Sequence, residues 1–485
     1  MRINPRTAAY SSLACALAMA LTACAGGPAY QAPAFPGAGA GVGPWQGPFL
    51  GASALLDTGK APPAEWWKLY DDAALDAAVR QALAANTDLR VALANLDRAR
   101  AVYGQARADL LPSTSLSAGA SRARAQTSWN GPGQAPVQTN YRGAIDIAYE
   151  LDLFGRVRSE IDSARADADA LAAAYDAAKV VVAAETTRAY VDACAYGQSV
   201  LAARSTIDVA RRTAGLVALA LRAGSASRLD QERSGAALAQ AEAALPPLQA
   251  RQNVALFELA ALTGQTPDQA PAAARDCVKA PEIAGLMPVG DGVAMLRRRP
   301  DVRQAERLLA ADTARVGVAV AELYPRVSFG ASAAYLRNDA LRGERSWSFG
   351  LGPLISWTFP NTALARGRVA QARAQGAASL ARFDGAVLTA LKEAEQSLSR
   401  YQGASAQRDA LARARSHAAN AFGLAEQRYR AGSIAYLDVL VAQNGLVGAE
   451  AALASADQQL GSARVDVFKA LGGTWQAPSA KRQPD

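Results

Sequence analysis

Two stretches of the chain alternate between apolar and polar positions, as a β-strand does when only one of its faces is apolar. From Tyr141 to Phe154 the odd positions are mainly aromatic or aliphatic, and the even positions carry Arg, Asp, Glu and Ala. The same alternation returns from Trp347 to Phe359, with Leu354 as the exception. A weaker alternating segment precedes each stretch. The pattern predicts four strands, at about 113–124, 141–154, 327–337 and 347–360.

Four strands of about ten residues match the length of a strand in an outer-membrane barrel. A soluble sandwich also produces such strands, so the pattern alone leaves both possibilities open. Four strands cannot close a barrel by themselves. If they lie in a membrane, several chains must therefore contribute to one barrel.

Most of the remaining sequence is typical of long helices. Proline is absent from 156–222 and from 363–430, and at 1.5 Å per residue each stretch is long enough to reach about 100 Å. Shorter return helices are predicted at about 225–263 and 433–471. In the second long stretch, apolar residues recur every three or four positions, as in a coiled-coil seam. This seam comprises Phe383, Val387, Leu391, Ala394, Leu398 and Tyr401.

The sequence pattern occurs twice along the chain. Asp88–Pro112 and Asp301–Pro325 have the same length, and each closes with Leu-x-Pro, where the proline stops a helix. Arg-Ala-Gly-Ser, three variable residues and Leu-Asp begin at Arg222 and again at Arg430. A segment rich in Pro, Gly and Ala separates the two halves. We therefore predict a first repeat at 65–263, a linker at 264–299 and a second repeat at 300–473.

Each Arg-Ala-Gly-Ser lies where a long helix meets its return helix. Gly224 and Gly432 suit the left-handed conformation that ends a helix. Ser225 and Ser433 are expected to cap the return helices. A turn needs only this Gly and Ser, so the turn does not explain why Leu-Asp recurs beyond each tip.

The N-terminus has two arginines, a short apolar stretch and small residues, which is typical of a secretory signal. The apolar stretch is too short to span a bilayer. Leu21–Cys24 resembles a bacterial lipobox, which implies a signal peptide at 1–23 and N-acyl and S-diacylglycerol lipid on Cys24. An ordinary secretory signal with a chance cysteine is the alternative. Residues 24–64 are predicted to form an extended tether and 474–485 a C-terminal tail.

Composition narrows the class of protein. The net charge is +8, but most basic residues stand singly among acidic ones, so nucleic acid is not an expected partner. His417 is the only histidine and Cys-x-x-Cys is absent, so no metal site is expected. No catalytic motif stands in a suitable context, so we expect neither an enzyme nor a cofactor beyond the lipid. The sequence leaves open whether Cys194 and Cys277 pair.

Several motifs follow one another in a specific order: the lipobox, Trp-Trp-Lys-Leu-Tyr-Asp-Asp, Arg-Arg-Arg-Pro-Asp-Val-Arg-Gln-Ala-Glu, the paired strands, both tips and Ala-Leu-Gly-Gly-Thr-Trp. Together they resemble the TolC-like outer membrane factors, in particular the NodT-type lipoproteins of efflux systems. The resemblance covers nearly all of the mature chain. It implies a mixed α/β membrane protein. Three chains with four strands each would form a twelve-stranded outer-membrane β-barrel, continued by a long periplasmic α-helical barrel.

The resemblance also implies a function. The chain would be a passive homotrimeric duct in the outer membrane that exports small molecules or drugs. Its partners would be a periplasmic membrane-fusion adaptor protein, an RND-type inner-membrane pump and outer-membrane lipid. The adaptor would contact the hairpin tips at Gly224, Ser225, Gly432 and Ser433. The alternatives are a duct for type I protein secretion and a lipid-anchored periplasmic coiled-coil scaffold without a pore.

The resemblance places the narrowest part of the channel at Leu437, Asp438 and Val441. Val441 stands where some relatives carry a second acid, so we expect one charged ring, at Asp438, rather than two. Three carboxylates held close together in a trimer would repel one another and attract cations. The alternative is that Asp438 only pairs with a neighbouring arginine, such as Arg428 or Arg430.

Overall fold

The long helices predicted at 156–222 and 363–430 each form a single helix, of 67 and 68 residues. Each is followed by a return helix of 35 residues. Both helices that precede the strand pairs have 22 residues. In the computed structural model the helices are α1 Ala73–Ala85, α2 Thr87–Ala108, α3 Arg156–Arg222, α4 Arg228–Leu262, α5 Ala272–Arg275, α6 Gly292–Arg298, α7 Pro300–Ala321, α8 Ala363–Arg430 and α9 Tyr436–Ala470.

The strands form two sheets. A four-stranded antiparallel sheet has the order β2-β3-β5-β6, and a two-stranded parallel sheet joins β1 to β4. The strands are β1 Leu56–Asp57, β2 Ser113–Arg124, β3 Val137–Leu151, β4 Met287–Pro288, β5 Arg326–Arg337 and β6 Trp347–Ser356.

The ends of two strands differ from those predicted by alternation. The strand predicted at 141–154 begins earlier, at Val137, and ends at Leu151. The strand predicted at 347–360 ends at Ser356. Ser356 pairs with Arg326, the first residue of β5, so β6 ends where its partner ends. Alternation follows side chains, whereas the strand boundary follows hydrogen-bonded pairing.

The structure describes residues 28, 30–33, 49–51, 54–124, 137–338, 341–360 and 362–473; the signal peptide, Cys24 and the C-terminal tail lie outside these ranges. The chain divides into two units. The first, which we call the sheet unit, comprises Met1–Ala34, Asn95–Ala172 and Gln304–Phe383. The second, the hairpin unit, comprises Phe35–Ala94, Ala173–Arg303 and Asp384–Asp485.

The predicted coiled-coil seam of α8 is buried along most of its length. Its side chains are at most 7% exposed, apart from Leu391, which is half-buried. Within the hairpin unit, the buried Trp66 stacks on Phe468 with ring centroids 4.6 Å apart. Trp66 lies at the predicted start of the first repeat, and the burial of its large aromatic ring removes much apolar surface from water.

Parts of the predicted tether and linker are ordered in the hairpin unit. Leu56 of β1 pairs with Met287 of β4, so the two segments form a small parallel sheet. The backbone amides of Leu50 and Gly51 donate to the two carboxylate oxygens of Glu395 on α8, at 2.8 and 3.0 Å. Two-residue strands are too short to show a period in the sequence, and only tertiary pairing reveals them.

A disulfide joins Cys194 of α3 to Cys277 of the linker, with a Cα–Cα distance of 4.7 Å. The sequence had left this pairing open. A Cβ atom at Gly197, one turn further along α3, would collide with the carbonyl oxygen of Cys277. Glycine at this position therefore allows the linker to lie close against the helix.

Candidate membrane face, hairpin tips and constriction

One face of the four-stranded sheet is apolar across all four strands. In an antiparallel sheet, residues that lie directly opposite one another point to the same face. Ile147 of β3 lies opposite Thr114 of β2 and Ala331 of β5, and Ala331 lies opposite Leu351 of β6. The larger apolar members of this face are Leu116, Tyr141, Ile145, Ile147, Tyr149, Leu151, Val327, Phe329, Tyr335, Trp347, Phe349, Leu351 and Ile355.

The opposite face carries mainly small and polar residues, with Leu336 and Leu354 as the exceptions. One row across the sheet consists of Ser115, Asp146, Ser332 and Gly350. The apolar face is exposed in the single chain, and Phe349 is 90% exposed. A contiguous exposed apolar surface of this extent is typical of a membrane or protein contact. The strand register thus gives one sheet two chemically different faces.

Acidic residues at the end of β3 and just after it contact the first turn of α3. Asp152 accepts hydrogen bonds from the amides of Val157 and Arg158, at 3.0 and 2.9 Å, and so satisfies amides of the first turn. Arg156 donates two hydrogen bonds to Glu150 of β3, both at 2.8 Å. Acidic residues stabilise a helix N-terminus because they compensate its partial positive charge. These contacts hold the end of the strand against the start of the helix.

The two hairpin tips share one backbone conformation. Gly224 and Gly432 have φ of 73° and 71°, the left-handed region predicted for them. The space around both glycines is open within 4 Å, so the positive φ, rather than crowding, favours glycine there. Both tips end their outgoing helices in the same way.

The two tip serines close the outgoing helices instead of capping the return helices. The hydroxyl of Ser225 donates to the carbonyl of Ala220 at 3.1 Å, and that of Ser433 donates to the carbonyl of Arg428 at 3.0 Å. The prediction that these serines cap the return helices is wrong, since each return helix begins three residues further on. The last carbonyls of a helix lack partners within it, and these hydroxyls supply one.

The true N-cap positions distinguish the two tips. Ser227 accepts a hydrogen bond from the amide of Asp230 at 3.1 Å, and the Asp230 carboxylate accepts one from the amide of Ser227 at 3.1 Å. This is a capping box. The hydrogen bonds from Ser227 lower the pKa of the Asp230 carboxyl. At the second tip Ala435 is the N-cap and has no side chain that can cap, so Asp438 lacks this partner.

The predicted constriction residues lie together on the exposed side of α9. Leu437 and Val441 are 43% and 64% exposed, and Asp438 is also exposed. Tyr436 and Val439, by contrast, are buried in an apolar cluster at the tip. Within the ranges that the structure describes, Asp438 forms no ion pair, and Arg430 pairs with Glu426. These three side chains are thus accessible on the surface of the single chain.

A buried arginine joins two of the family-like motifs. Arg299, of the Arg-Arg-Arg-Pro-Asp motif, donates to both oxygens of Asp301, at 2.9 and 2.6 Å, and to Glu393 at 2.7 Å. It also donates to the carbonyl of Ala470 at 2.7 Å. A Cβ at Gly472, in the final Gly-Gly, would lie 2.8 Å from the Arg299 side chain. Sequence reasoning missed this contact because the residues are about 170 positions apart.

The chain is similar to proteins that export molecules across the outer membrane. Residues 78–265 and 293–473 match the family model of the outer membrane efflux protein. The chain therefore belongs to the outer membrane efflux protein family, which confirms the resemblance drawn from its motifs. As a member of this family it is an outer-membrane protein of an efflux system.

Individual relatives agree with the family match. Outer membrane protein OprJ of Pseudomonas aeruginosa is 30% identical over 97% of each chain. The toluene efflux pump outer membrane protein TtgC of Pseudomonas putida is 30% identical over 95% of each chain. The solved structure of the outer-membrane channel OprN has a TM-score of 0.85 and 32% identity, and covers 94% of this chain and all of that one.

Proposed function

We propose that the chain is the passive outer-membrane duct of a tripartite efflux pump. Small molecules or drugs would pass through it to the outside, and the inner-membrane pump would supply the energy. TtgC is named as part of a toluene efflux pump, and OprN is named as a channel. Both names support a duct for small molecules. The duct catalyses no reaction and needs no cofactor apart from its lipid anchor.

The observation that carries this proposal is the sheet with one continuous apolar face. The apolar face would contact lipid, and the polar face would line the channel, as in a membrane barrel. Four strands are too few to close a barrel. Three copies would supply twelve strands, an even number that keeps every neighbouring pair antiparallel.

The helices support a second barrel in the periplasm. The two halves of the chain contribute matching sets of helices, with 22, 67 and 35 residues in the first and 22, 68 and 35 in the second. We attribute this match to an internal repeat at 65–263 and 300–473, joined by the linker at 264–299. Small side chains on long helices permit close packing around a tunnel.

The hairpin tips are the proposed contact with the adaptor protein. Both tips are exposed turns closed by a glycine with positive φ. Gly432→Val strains this turn, because valine disfavours positive φ. Crosslinking to the adaptor and drug export should fall, while the amount of trimer in the outer membrane stays normal. Normal export by this variant would contradict the proposed role of the tip.

The lipid anchor and the constriction complete the proposal. Cys24 would carry the acyl chains, and Cys24→Ser should abolish labelling with a palmitate analogue. Leu437, Asp438 and Val441 would narrow the channel, with one ring of three Asp438 carboxylates. The exposure of these side chains and the absence of an ion pair at Asp438, within the part of the chain that the structure describes, support this role.

Conductance tests the proposal directly. The purified full-length protein is added to a planar lipid bilayer, and single-channel currents are recorded. We expect discrete openings with a cation preference. A trimer that inserts into the bilayer but passes no current would overturn the duct and favour a scaffold without a pore.

A further inference from the structure

The four-stranded sheet has two open edges. Within the described residues, β2 pairs only with β3, and β6 pairs only with β5. A long exposed edge with an apolar face pairs readily with another strand. Because β2 and β6 run in opposite directions, β6 of one chain and β2 of a second copy would meet as antiparallel neighbours. The partner is therefore a second copy of this chain, which rests on the proposed trimer. The trimer alone leaves open which residues of β6 and β2 lie opposite one another.

The two halves of the chain relate their strands by fixed offsets. β5 begins 213 positions after β2, and both strands have 12 residues. Ser113 pairs with Ala148, and the equivalent Arg326 pairs with Ser356. Ala148 and Ser356 are 208 positions apart, the same offset as between the hairpin tips. Thus β2 corresponds to β5 at an offset of 213, and β3 corresponds to β6 at 208.

One junction between the halves is present within the chain. There β3 pairs with β5, and Ile147 lies opposite Ala331. The missing junction is that between β6 and the β2 of the next chain. If we apply the two offsets to the observed pair, Ile147 becomes Ile355 and Ala331 becomes Ala118. Both resulting residues lie on the apolar face, so the transferred register preserves the two faces of the sheet.

The same register accounts for the early end of β6. β3 continues beyond Ala148, which pairs with Ser113 at the start of β2, as far as Leu151, because β5 supplies further partners. The position equivalent to Leu151 in the second half is Phe359, three residues beyond the end of β6. Trp357 and Phe359 continue the apolar alternation. In the transferred register, Thr114 of the neighbouring copy lies opposite Phe359 and supplies the missing partner.

We infer that β6 of each chain pairs antiparallel with β2 of the next copy, with Ile355 opposite Ala118, and that β6 then extends to Phe359. The interface between chains thereby repeats the junction between the halves of one chain. A sheet register can shift only in steps of two residues if its faces are to stay the same. The competing registers therefore place Leu116 or Ala120 opposite Ile355.

Paired cysteines test the register. The full-length variant Ala118→Cys with Ile355→Cys is expressed in the outer membrane, oxidised with copper phenanthroline and run on a non-reducing gel. Directly opposed strand residues have Cα atoms about 4.5–5.5 Å apart, within the range of a disulfide. We expect covalent dimers and trimers that disappear on reduction. The double variant Ile147→Cys with Ala331→Cys, whose two residues pair within one chain, calibrates the efficiency of crosslinking. Each single-cysteine variant is a control.

The matched pairs decide between registers. Leu116→Cys and Ala120→Cys, each combined with Ile355→Cys, should crosslink at least several-fold more slowly, since diagonal neighbours lie about 7–8 Å apart. Fastest crosslinking at Leu116 or Ala120, with normal conductance, overturns the register and leaves the duct intact. Monomers without conductance in every variant, including the wild-type chain, overturn the trimeric duct itself.

Discussion

Asp230 and Asp438 occupy equivalent places 208 positions apart, yet among the residues that the structure describes only Asp230 has a local side-chain partner. The difference depends on one residue three positions earlier, which is Ser227 at the first tip and Ala435 at the second. A serine at the N-cap engages the carboxylate of the aspartate, whereas an alanine leaves it free. The repeated Leu-Asp therefore serves helix capping at one tip and leaves a charge available at the other.

Asp438→Ala and the matched variant Asp230→Ala should have different effects. Asp438→Ala removes the exposed carboxylate of the proposed ring, so we expect a lower cation preference and a larger resting leak in single-channel recordings. Asp230→Ala removes half of a capping box and a charge near a helix N-terminus, at a cost of about 0.3–1 kcal/mol in helix stability. Its ion preference should stay that of the wild type. Equal ion preference in both variants would show that Asp438 is only a helix residue.

Ala435→Ser places the missing cap at the second tip without removing a charge. The serine should form a capping box with Asp438 and raise stability by about 0.5–2 kcal/mol. Because one carboxylate oxygen then faces the helix backbone, the cation preference should fall partway towards that of Asp438→Ala. Thermal unfolding and single-channel recording measure the two effects. A stabilised variant with unchanged ion preference would contradict this account of the carboxylate.

In the strands, the alternation of side chains decides which face of the sheet each residue occupies. Alternation alone assigns Ile147 and Ala148 to opposite faces, and the register adds that the same faces continue over all four strands. A residue therefore lies on the apolar or the polar face according to its parity and not according to its own hydrophobicity. Ala148 is apolar, yet it lies on the polar face.

Ile147→Arg and Ala148→Arg test this assignment of faces. An arginine that faces lipid near mid-depth costs about 2–4 kcal/mol, so Ile147→Arg should reduce the heat-resistant trimer in the outer membrane. Ala148→Arg adds the same charge one residue further on, on the polar face proposed to line the channel, and should be tolerated. Trimer bands are compared on semi-native gels after heating in steps. Similar losses in both variants would reject the assignment.

At the scale of the whole chain, a covalent bond ties the linker to a long helix within the hairpin unit. The disulfide between Cys194 and Cys277 spans a sequence separation of 83 residues. Such a crosslink restricts the unfolded chain and thereby stabilises the folded one. The bond fits an extracytoplasmic location, where disulfides form and persist.

The double variant Cys194→Ala and Cys277→Ala should unfold at a lower temperature than the wild type, with a loss of about 2–4 kcal/mol. Replacing both cysteines avoids a free buried thiol. A reductant should lower the melting temperature of the wild type towards that of the variant and leave the variant unchanged. If the reductant lowers both melting temperatures equally, the disulfide is not the source of the difference.

The helices and the tip glycines were predictable because their signals are local. Proline is absent from both long helices, and the glycines at 224 and 432 follow their last residues closely, so these signals act within a few residues. The apolar sheet face was predictable for the same reason, since period two is a property of each strand alone. The motifs together also indicated the family, because their order is specific even though each one is weak.

The remaining features required the tertiary structure, because they join residues distant in sequence. The pairing of β1 with β4, the disulfide and the contact of Arg299 with Gly472 leave no periodic trace in the chain. The end of β6 depends on where its partner strand β5 ends, and the alternation of side chains gives no information about that partner. The absence of a capping partner for Asp438 at the described start of α9 likewise depends on where this helix begins, since the start of a helix decides which side chain becomes its cap.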